Sequence, residues 1–499
     1  MAILVSLVAM GLTASMAPVV VSTITATRTA DQRTESIDAA NAGLDAAMAQ
    51  LRAASTGSGA TLVGNLETLP PCDITGAENA GDETADTNGK TTPRLRYRVK
   101  VAYYGQLEDD NDDTSAVPIA CPPTQVPTKA VLTVTGSYSA TAVLEPGKPD
   151  TRTVESTYTF RRSTANTAGG AIRLGSTIPM CMDGADNAVT KAPTLTLAAC
   201  KTGGASEQRF AYTKDLNIKL MYSESTASPN GLCLQGTTTN NNAVVIFKPC
   251  LGRTAVQQWS LDNNSRLRGT TDGVNVNGYC LNAQTSGSPR MIVLGSCSTG
   301  SDQSVWRTDP AAGAGGASAD TGQLVNFKQF SRCLDVTNHT PTYPYMIVWF
   351  CKQAPDGNVS WNQQWTMPPV ATSKETAVWG RIRTAGTSNP GYCLRRPDSP
   401  GGLVTMVSCS ATAPLPAAIP DELKWKMYGE TKDDITRYTI VSSRGECLTP
   451  TDLTAAKPET HTDGTAVVRT TRCTKAALLK WNAPPSLQTG KTLSGTTEK

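Results

Sequence analysis

The chain has 499 residues, which at roughly 100–200 residues per domain predicts about three domains. Charged residues make up 17% and aromatics 5%, and the formal net charge is only +3 with no Lys/Arg block, so nucleic acid is not expected as a partner. Two histidines, His339 and His461, leave little for a zinc site or a Ser-His triad, so neither an enzyme nor a bound cofactor or metal is expected. Thr, Ser, Gly and Asn fill the composition, which reads as β-rich and extracellular. The 14 cysteines run from Cys72 to Cys473 without a Cys-x-x-Cys pair, which points to disulfides and an oxidising compartment.

From Met1 to Thr27 no residue is charged; the first charge is Arg28. That run is long enough to cross a hydrocarbon layer of about 30 Å as a helix. A secretory signal begins with a basic segment; none precedes the apolar run, so the chain reads either as processed, with a leader removed before Met1, or as an unusual anchor. Beyond it, Ile37, Ala40, Leu44, Ala47, Met48 and Leu51 fall on one helical face. Thr56, Gly57, Ser58 and Gly59 end the pattern. The spacing predicts one rod over residues 1–55, about 80 Å long, kinked or locally unwound at Pro18, which lacks an amide donor.

Leu95, Tyr97, Val99, Val101 and Tyr103 alternate with Arg94, Arg96, Arg98 and Lys100, a strand with one wet face. Val131–Leu144 and Val154–Phe160 read the same way, which predicts a small α+β head over 56–165. Cys72 and Cys121 have no other local partner and are paired. The acidic run Glu108–Asp113 lacks the glycine and terminal glutamate of an EF-hand loop and reads as a solvated turn.

An uncharged apolar N-terminus, a long amphipathic helix and a disulfide-bonded β region resemble the type IV pilin and pseudopilin family over residues 1–165. The resemblance implies a subunit held in the cytoplasmic membrane before assembly, whose helices then bundle into a homopolymer. The family usually carries a glutamate at the fifth mature position; here it is Val5, so the salt link from that glutamate to a neighbouring N-terminus cannot form. The alternatives are a plain membrane anchor with a helical stalk, or a signal remnant.

Residues 168–487 hold six repeats, each with Cys-Leu-x, an apolar strand ending in a second Cys, then an aromatic anchor. The second has Cys233, Leu234, Gln235, Cys250 and Trp259; the third Cys280, Leu281, Asn282, Cys297 and Trp306. The fourth has Cys333, Leu334, Asp335, Cys351 and Trp365; the fifth Cys393, Leu394, Arg395, Cys409 and Trp425; the sixth Cys447, Leu448, Thr449, Cys473 and Trp481. The first, with Cys181, Met182, Asp183 and Cys200, replaces the tryptophan by Phe210. Units of roughly 45–60 residues cannot bury a core alone, so three must close together. Small residues over 311–319 separate the third repeat from the fourth.

This pattern, with its Gln-x-Trp, resembles the ricin B-chain type β-trefoil lectins. The resemblance implies trefoils over 168–310 and 320–487, and the pairs Cys181–Cys200, Cys233–Cys250, Cys280–Cys297, Cys333–Cys351, Cys393–Cys409 and Cys447–Cys473. It also implies a hexose site made of an Asp two after the first Cys, an aromatic two before the second, and an Asn before Gln-x-Trp. Only the fourth repeat has all three, as Asp335, Trp349 and Asn362, with His339 at the rim and Ile347 where the family often has Gln. Glycan binding is expected there, with Asp335→Ala abolishing it while leaving the fold intact.

The chain is therefore expected to be multidomain: a long N-terminal α-helix with a small α+β pilin-like head, then two all-β β-trefoils and a polar tail over 488–499. The function expected is an extracellular filament subunit that displays lectin-like domains. A membrane-anchored lectin that does not polymerise is the alternative, and a carbohydrate-active enzyme is disfavoured because no acid and base carboxylate pair stands out.

Overall fold

The computed structural model describes residues 2–498, except 57–62, 65, 79–94, 106–117, 124–126, 128, 140–141, 149, 161–166, 168, 176–179, 185–194, 202–204, 222, 226, 238–241, 288, 298–300, 319–320, 386–390, 410–417, 430–437, 475 and 483–492. For 2–21, 55–56, 63–64, 67, 301–302, 482 and 493–498 only the backbone is described. The acidic run Glu108–Asp113 lies outside the described residues, and so do the side chains of most of the apolar run. Among the described residues no helix is long and apolar enough to cross a membrane.

One helix spans Ala2–Ala53. It stays helical through Pro18, so the local unwinding that the sequence allowed there does not occur; a missing amide removes one intrahelical bond, and the flanking turns carry the helix across it. Ala40, Leu44, Ala47, Met48 and Leu51 are buried against Val99, Val101, Leu132, Val134 and Val154 of a sheet, as the helical face predicts. Ile37 is only half-buried, and Ser36 is buried in its neighbourhood. From Ser22 to Glu35 the helix is almost wholly exposed.

The sheet is antiparallel, in the order Asp73–Glu78, Leu95–Tyr104, Lys129–Ser137, Thr151–Thr159 and Leu493–Glu498. The last strand corrects the expected polar tail. Leu493 pairs with Tyr158 and Glu498 with Val154, so the C-terminal segment covers the edge of the head's sheet. Everything from the first to the sixth repeat is thus an insertion between two neighbouring strands. The strand expected over 131–144 ends at Ser137.

Helix and sheet approach closely at Gly136, where a Cβ would meet the backbone of Ser36 and Ala40.

The repeats form two units of three, each around its own apolar core. Phe210, Trp259 and Trp306 meet in the first core, and Trp365, Trp425 and Trp481 in the second. Each of these five core tryptophans donates its indole N–H to the leucine carbonyl of its own Cys-Leu-x: Trp259 to Leu234 at 3.1 Å, Trp306 to Leu281 at 2.8 Å, Trp365 to Leu334 at 3.1 Å, Trp425 to Leu394 at 2.9 Å and Trp481 to Leu448 at 3.0 Å. Phe210 has no donor to offer and stacks on Phe247 instead, ring centroids 6.4 Å apart. All seven expected disulfides are present, with Cα–Cα distances of 4.9 to 5.9 Å.

The small residues expected as a linker are packed. Ala314 and Ala317 are buried with Val325, Phe330 and the Cys333–Cys351 bridge. Gln353 donates from its amide to Leu261 at 2.9 Å and accepts from Gly316 at 2.9 Å on its side chain. Phe350 of the fourth repeat joins the core of the first unit, and Arg332 lies 3.8 Å over its ring while donating to Thr308 at 2.9 Å. The two units are docked, and a small-residue segment permits that approach.

Gly136→Ala is expected to force the helix off the sheet and lower head stability by about 1–3 kcal/mol. Thermal unfolding followed by circular dichroism checks it; an unchanged midpoint would mean the helix is not seated there.

Candidate functional site

The strand Arg332–Asp335 pairs antiparallel with Met346–Phe350, Cys333 opposite Trp349 and Asp335 opposite Ile347. This hairpin puts the Asp at the end of one strand and the tryptophan on the other. The short 3-10 turn Trp361–Gln363 then brings Asn362 and Gln363 beneath the carboxylate. A second turn, Thr337–His339, carries Asn338 and His339 with φ of 54° and 57°, the left-handed region, which lifts the imidazole to the rim.

The four expected residues Asp335, Trp349, Asn362 and His339 all line one cleft of about 370 Å³. Asp335 is 3% exposed and Asn362 1%, whereas Trp349 is half-buried and His339 exposed. The carboxylate is already engaged. Its Oδ1 accepts from Asn362 Nδ2 at 2.9 Å, and its Oδ2 accepts from Gln363 Nε2 at 2.8 Å. Lys352 Nζ stands 3.2 Å from Oδ2 and donates to Asn362 Oδ1 at 2.6 Å. A carboxylate offers about four lone-pair sites and an ammonium three donors, so roughly one acceptor site on Asp335 and one N–H on Lys352 stay available to a ligand.

Two of these residues are absent from the sequence expectation. Lys352 immediately follows the second cysteine, and its buried ammonium, 3% exposed, is matched to the buried Asp335. Burial pushes the Lys352 pKa below the ordinary lysine value, and Asp335 offsets part of that. Gln363 belongs to Gln-x-Trp and serves the fold. Its Oε1 accepts from the Lys352 amide at 2.8 Å, while its Nε2 also donates to the Phe350 carbonyl at 3.0 Å. Gln208 and Gln257 make the same three contacts in the first and second repeats. The signal for Lys352 was present in the chain: Lys201 holds the same place in the first repeat, 3.7 Å from Asp183. That repeat has Ala198 where Trp349 stands, so it offers no aromatic face.

The cleft extends beyond the fourth repeat. Its opposite wall is made by Asn263, Asn264, Ser265, Arg266 and Arg307 of the first unit, and Asp463 of the sixth repeat closes one end. Among the described residues no cluster of His, Cys, Asp and Glu is placed to hold a metal. The arrangement can offer hydroxyl-bearing ligands a carboxylate, an amide, an ammonium and an indole face, which are groups for binding.

Partial burial pushes the His339 pKa below the ordinary histidine value; the Lys352 ammonium adds to this and Asp335 opposes it.

Residues 169–306, the first unit, match the ricin-type β-trefoil lectin domain family. An agglutinin from Abrus precatorius is 19% identical, over 62% of this chain and 94% of that chain, with a TM-score of 0.22. The hemolytic lectin CEL-III is 17% identical, over 63% of each chain, with a TM-score of 0.21. The Vibrio vulnificus hemolysin/cytolysin β-trefoil lectin, solved with N-acetyl-D-lactosamine bound, is 18% identical, over 28% of this chain and 91% of that chain, with a TM-score of 0.21. Among curated proteins none matches the chain.

Two predictions follow from the buried pair and the rim. Asp335→Ala and Lys352→Ala each strand a buried charge and are expected to cost about 3–5 kcal/mol, contrary to the expectation that Asp335→Ala spares the fold. The double variant Asp335→Leu/Lys352→Met is expected to regain most of that loss in urea unfolding; simple additivity of the losses would show the pair to be uncoupled. A lowered His339 pKa means that the unfolded chain binds the proton more readily. Its contribution is full above about pH 6.5 and fades as pH falls through the lower folded-state value. The fall in melting temperature between about pH 7 and pH 5 should shrink in His339→Gln, and an unchanged fall would assign it to other groups.

Proposed function

We propose that this chain is an extracellular, glycan-binding filament subunit, with a pilin-like head and two lectin-type trefoils. The observation that carries the filament reading is the helix. Its C-terminal part is packed on the head's sheet, while Ser22–Glu35 stands almost wholly exposed and leads into an uncharged apolar run. An uncharged apolar run of that length gains most from burial against lipid or against copies of itself.

The glycan reading rests on the cleft around Asp335, Trp349, Asn362, His339 and Lys352, and on the lectin family matched by the first unit. Seven disulfides support an oxidising exterior. The groups in the cleft bind and orient hydroxyls, and we read the protein as a binder rather than an enzyme. The filament, not a cofactor or nucleic acid, is its proposed partner, with the membrane as its station before assembly.

The test is electron microscopy of material sheared from producing cells, with mass spectrometry and glycan binding on the same fraction. Thin fibres made of this chain, lost on deleting residues 2–27, are expected. Trp349→Ala should keep the fibres and lower glycan binding by about tenfold or more, since the aromatic face would be gone. The chain confined to membranes without fibres would instead establish an anchored lectin.

A further inference from the structure

The wall facing Asp335 is fixed as firmly as the site itself. Asp262 Oδ1 accepts from the amides of Asn264 at 2.8 Å and Arg266 at 3.0 Å, and the Trp306 amide donates to the Ser265 carbonyl at 2.8 Å. Ser265, with φ of 57° and 2% exposure, is pinned at the turn. Yet, among the described residues, the Ser265 hydroxyl and the Arg266 Nε are buried without a hydrogen-bond partner. Buried polar groups without partners oppose folding and call for an explanation; these two atoms lie just behind the cleft's surface, in residues that line it, and Arg266 as a whole is only half-buried.

Charge points the same way. Asp335 is matched by Lys352, and Asp463 Oδ1 takes the amide of Thr465 at 3.0 Å and its hydroxyl at 2.7 Å. Arg307 donates to the Asp463 backbone carbonyl at 3.3 Å. Among the described residues neither Arg266 nor Arg307 has a carboxylate partner. A guanidinium with free donors is suited to bidentate contact with a carboxylate or a sulfate.

We propose that the cleft is one composite site built by both units, which reads a hexose at Asp335, Lys352 and Asn362 and an anionic substituent at Ser265, Arg266 and Arg307. This rests on the glycan reading above and names its ligand class as acidic glycans, carboxylated or sulfated. The volume of about 370 Å³ suits a short glycan, at the small end of the range of about 300–1,000 Å³ for small-molecule sites. Gln353 and Arg332 hold the two walls in register across the junction.

The full chain is probed on an array of neutral, carboxylated and sulfated oligosaccharides with matched cores. Acidic members are expected to bind about tenfold or more tightly than their neutral counterparts, with the preference falling as salt is raised. Arg266→Gln should erase the preference for acidic over neutral members; Ser265→Ala, the gentler change, should reduce it. Melting curves verify that both variants fold. Whether carboxylated or sulfated members lead identifies the anionic group. Equal binding of neutral and acidic members, or a preference intact in Arg266→Gln, overturns the composite site while leaving the hexose reading standing. Binding of no glycan overturns both.

Discussion

An indole N–H bonded to a leucine carbonyl recurs in five of the six repeats, and the leucine is in each case the residue after the first cysteine. The disulfide and the indole bond therefore grip adjacent residues of one strand. No repeat is large enough to enclose its own tryptophan, so each anchor is completed by two neighbours and the unit of stability is the triplet. The first repeat shows what is dispensable: Phe210 keeps the bulk and forgoes the bond. Burial alone holds that position, whereas the bond sets the angle of the ring in the others.

The candidate site grows out of a structural clamp. In the first, second and fourth repeats the glutamine two before the aromatic anchor bonds the backbone on both sides of the second cysteine and the side chain two after the first. Ser304, Leu423 and Leu479 occupy that place in the others and cannot make all three contacts. Where the clamped side chain is Asp335, a carboxylate is presented in a fixed orientation. Lys352 then neutralises it, so the cleft holds preset hydrogen-bonding groups with little left to rearrange on binding.

The repeats were legible because they are written six times: the core tryptophans follow from that recurrence, while the repeat disulfide pairs and the grouping of Asp335, Trp349, Asn362 and His339 came from the lectin resemblance the repeats carry. The helix face was legible from its period. What stayed hidden depends on distance along the chain. The closing strand Leu493–Glu498 has no apolar alternation, since it pairs through its backbone at a sheet edge. Ser265 and Arg266 sit on a turn of the first unit whose relation to Asp335 exists only once the units dock. Packing of Ala314 and Ala317 likewise turns a sequence that reads as a spacer into part of an interface.

Docking and strand closure together set how the proposed lectin part would carry load. The insertion leaves the head after Thr151–Thr159 and returns at Leu493–Glu498, and these strands are neighbours in one sheet. A pull on a bound glycan would thus reach the head through two covalent connections. Within the head, the strand that receives the departing chain is itself paired with Lys129–Ser137, which carries the helix at Gly136. Force applied at the cleft would therefore run through disulfide-closed hairpins, the docked junction and a hydrogen-bonded sheet to the helix that is proposed to form the filament. Each link along that path is a packed interface or a covalent bond, which is the mechanical requirement on an adhesive subunit. The proposed composite cleft would meet the same requirement, because a ligand gripped from both units would resist their separation while it is bound.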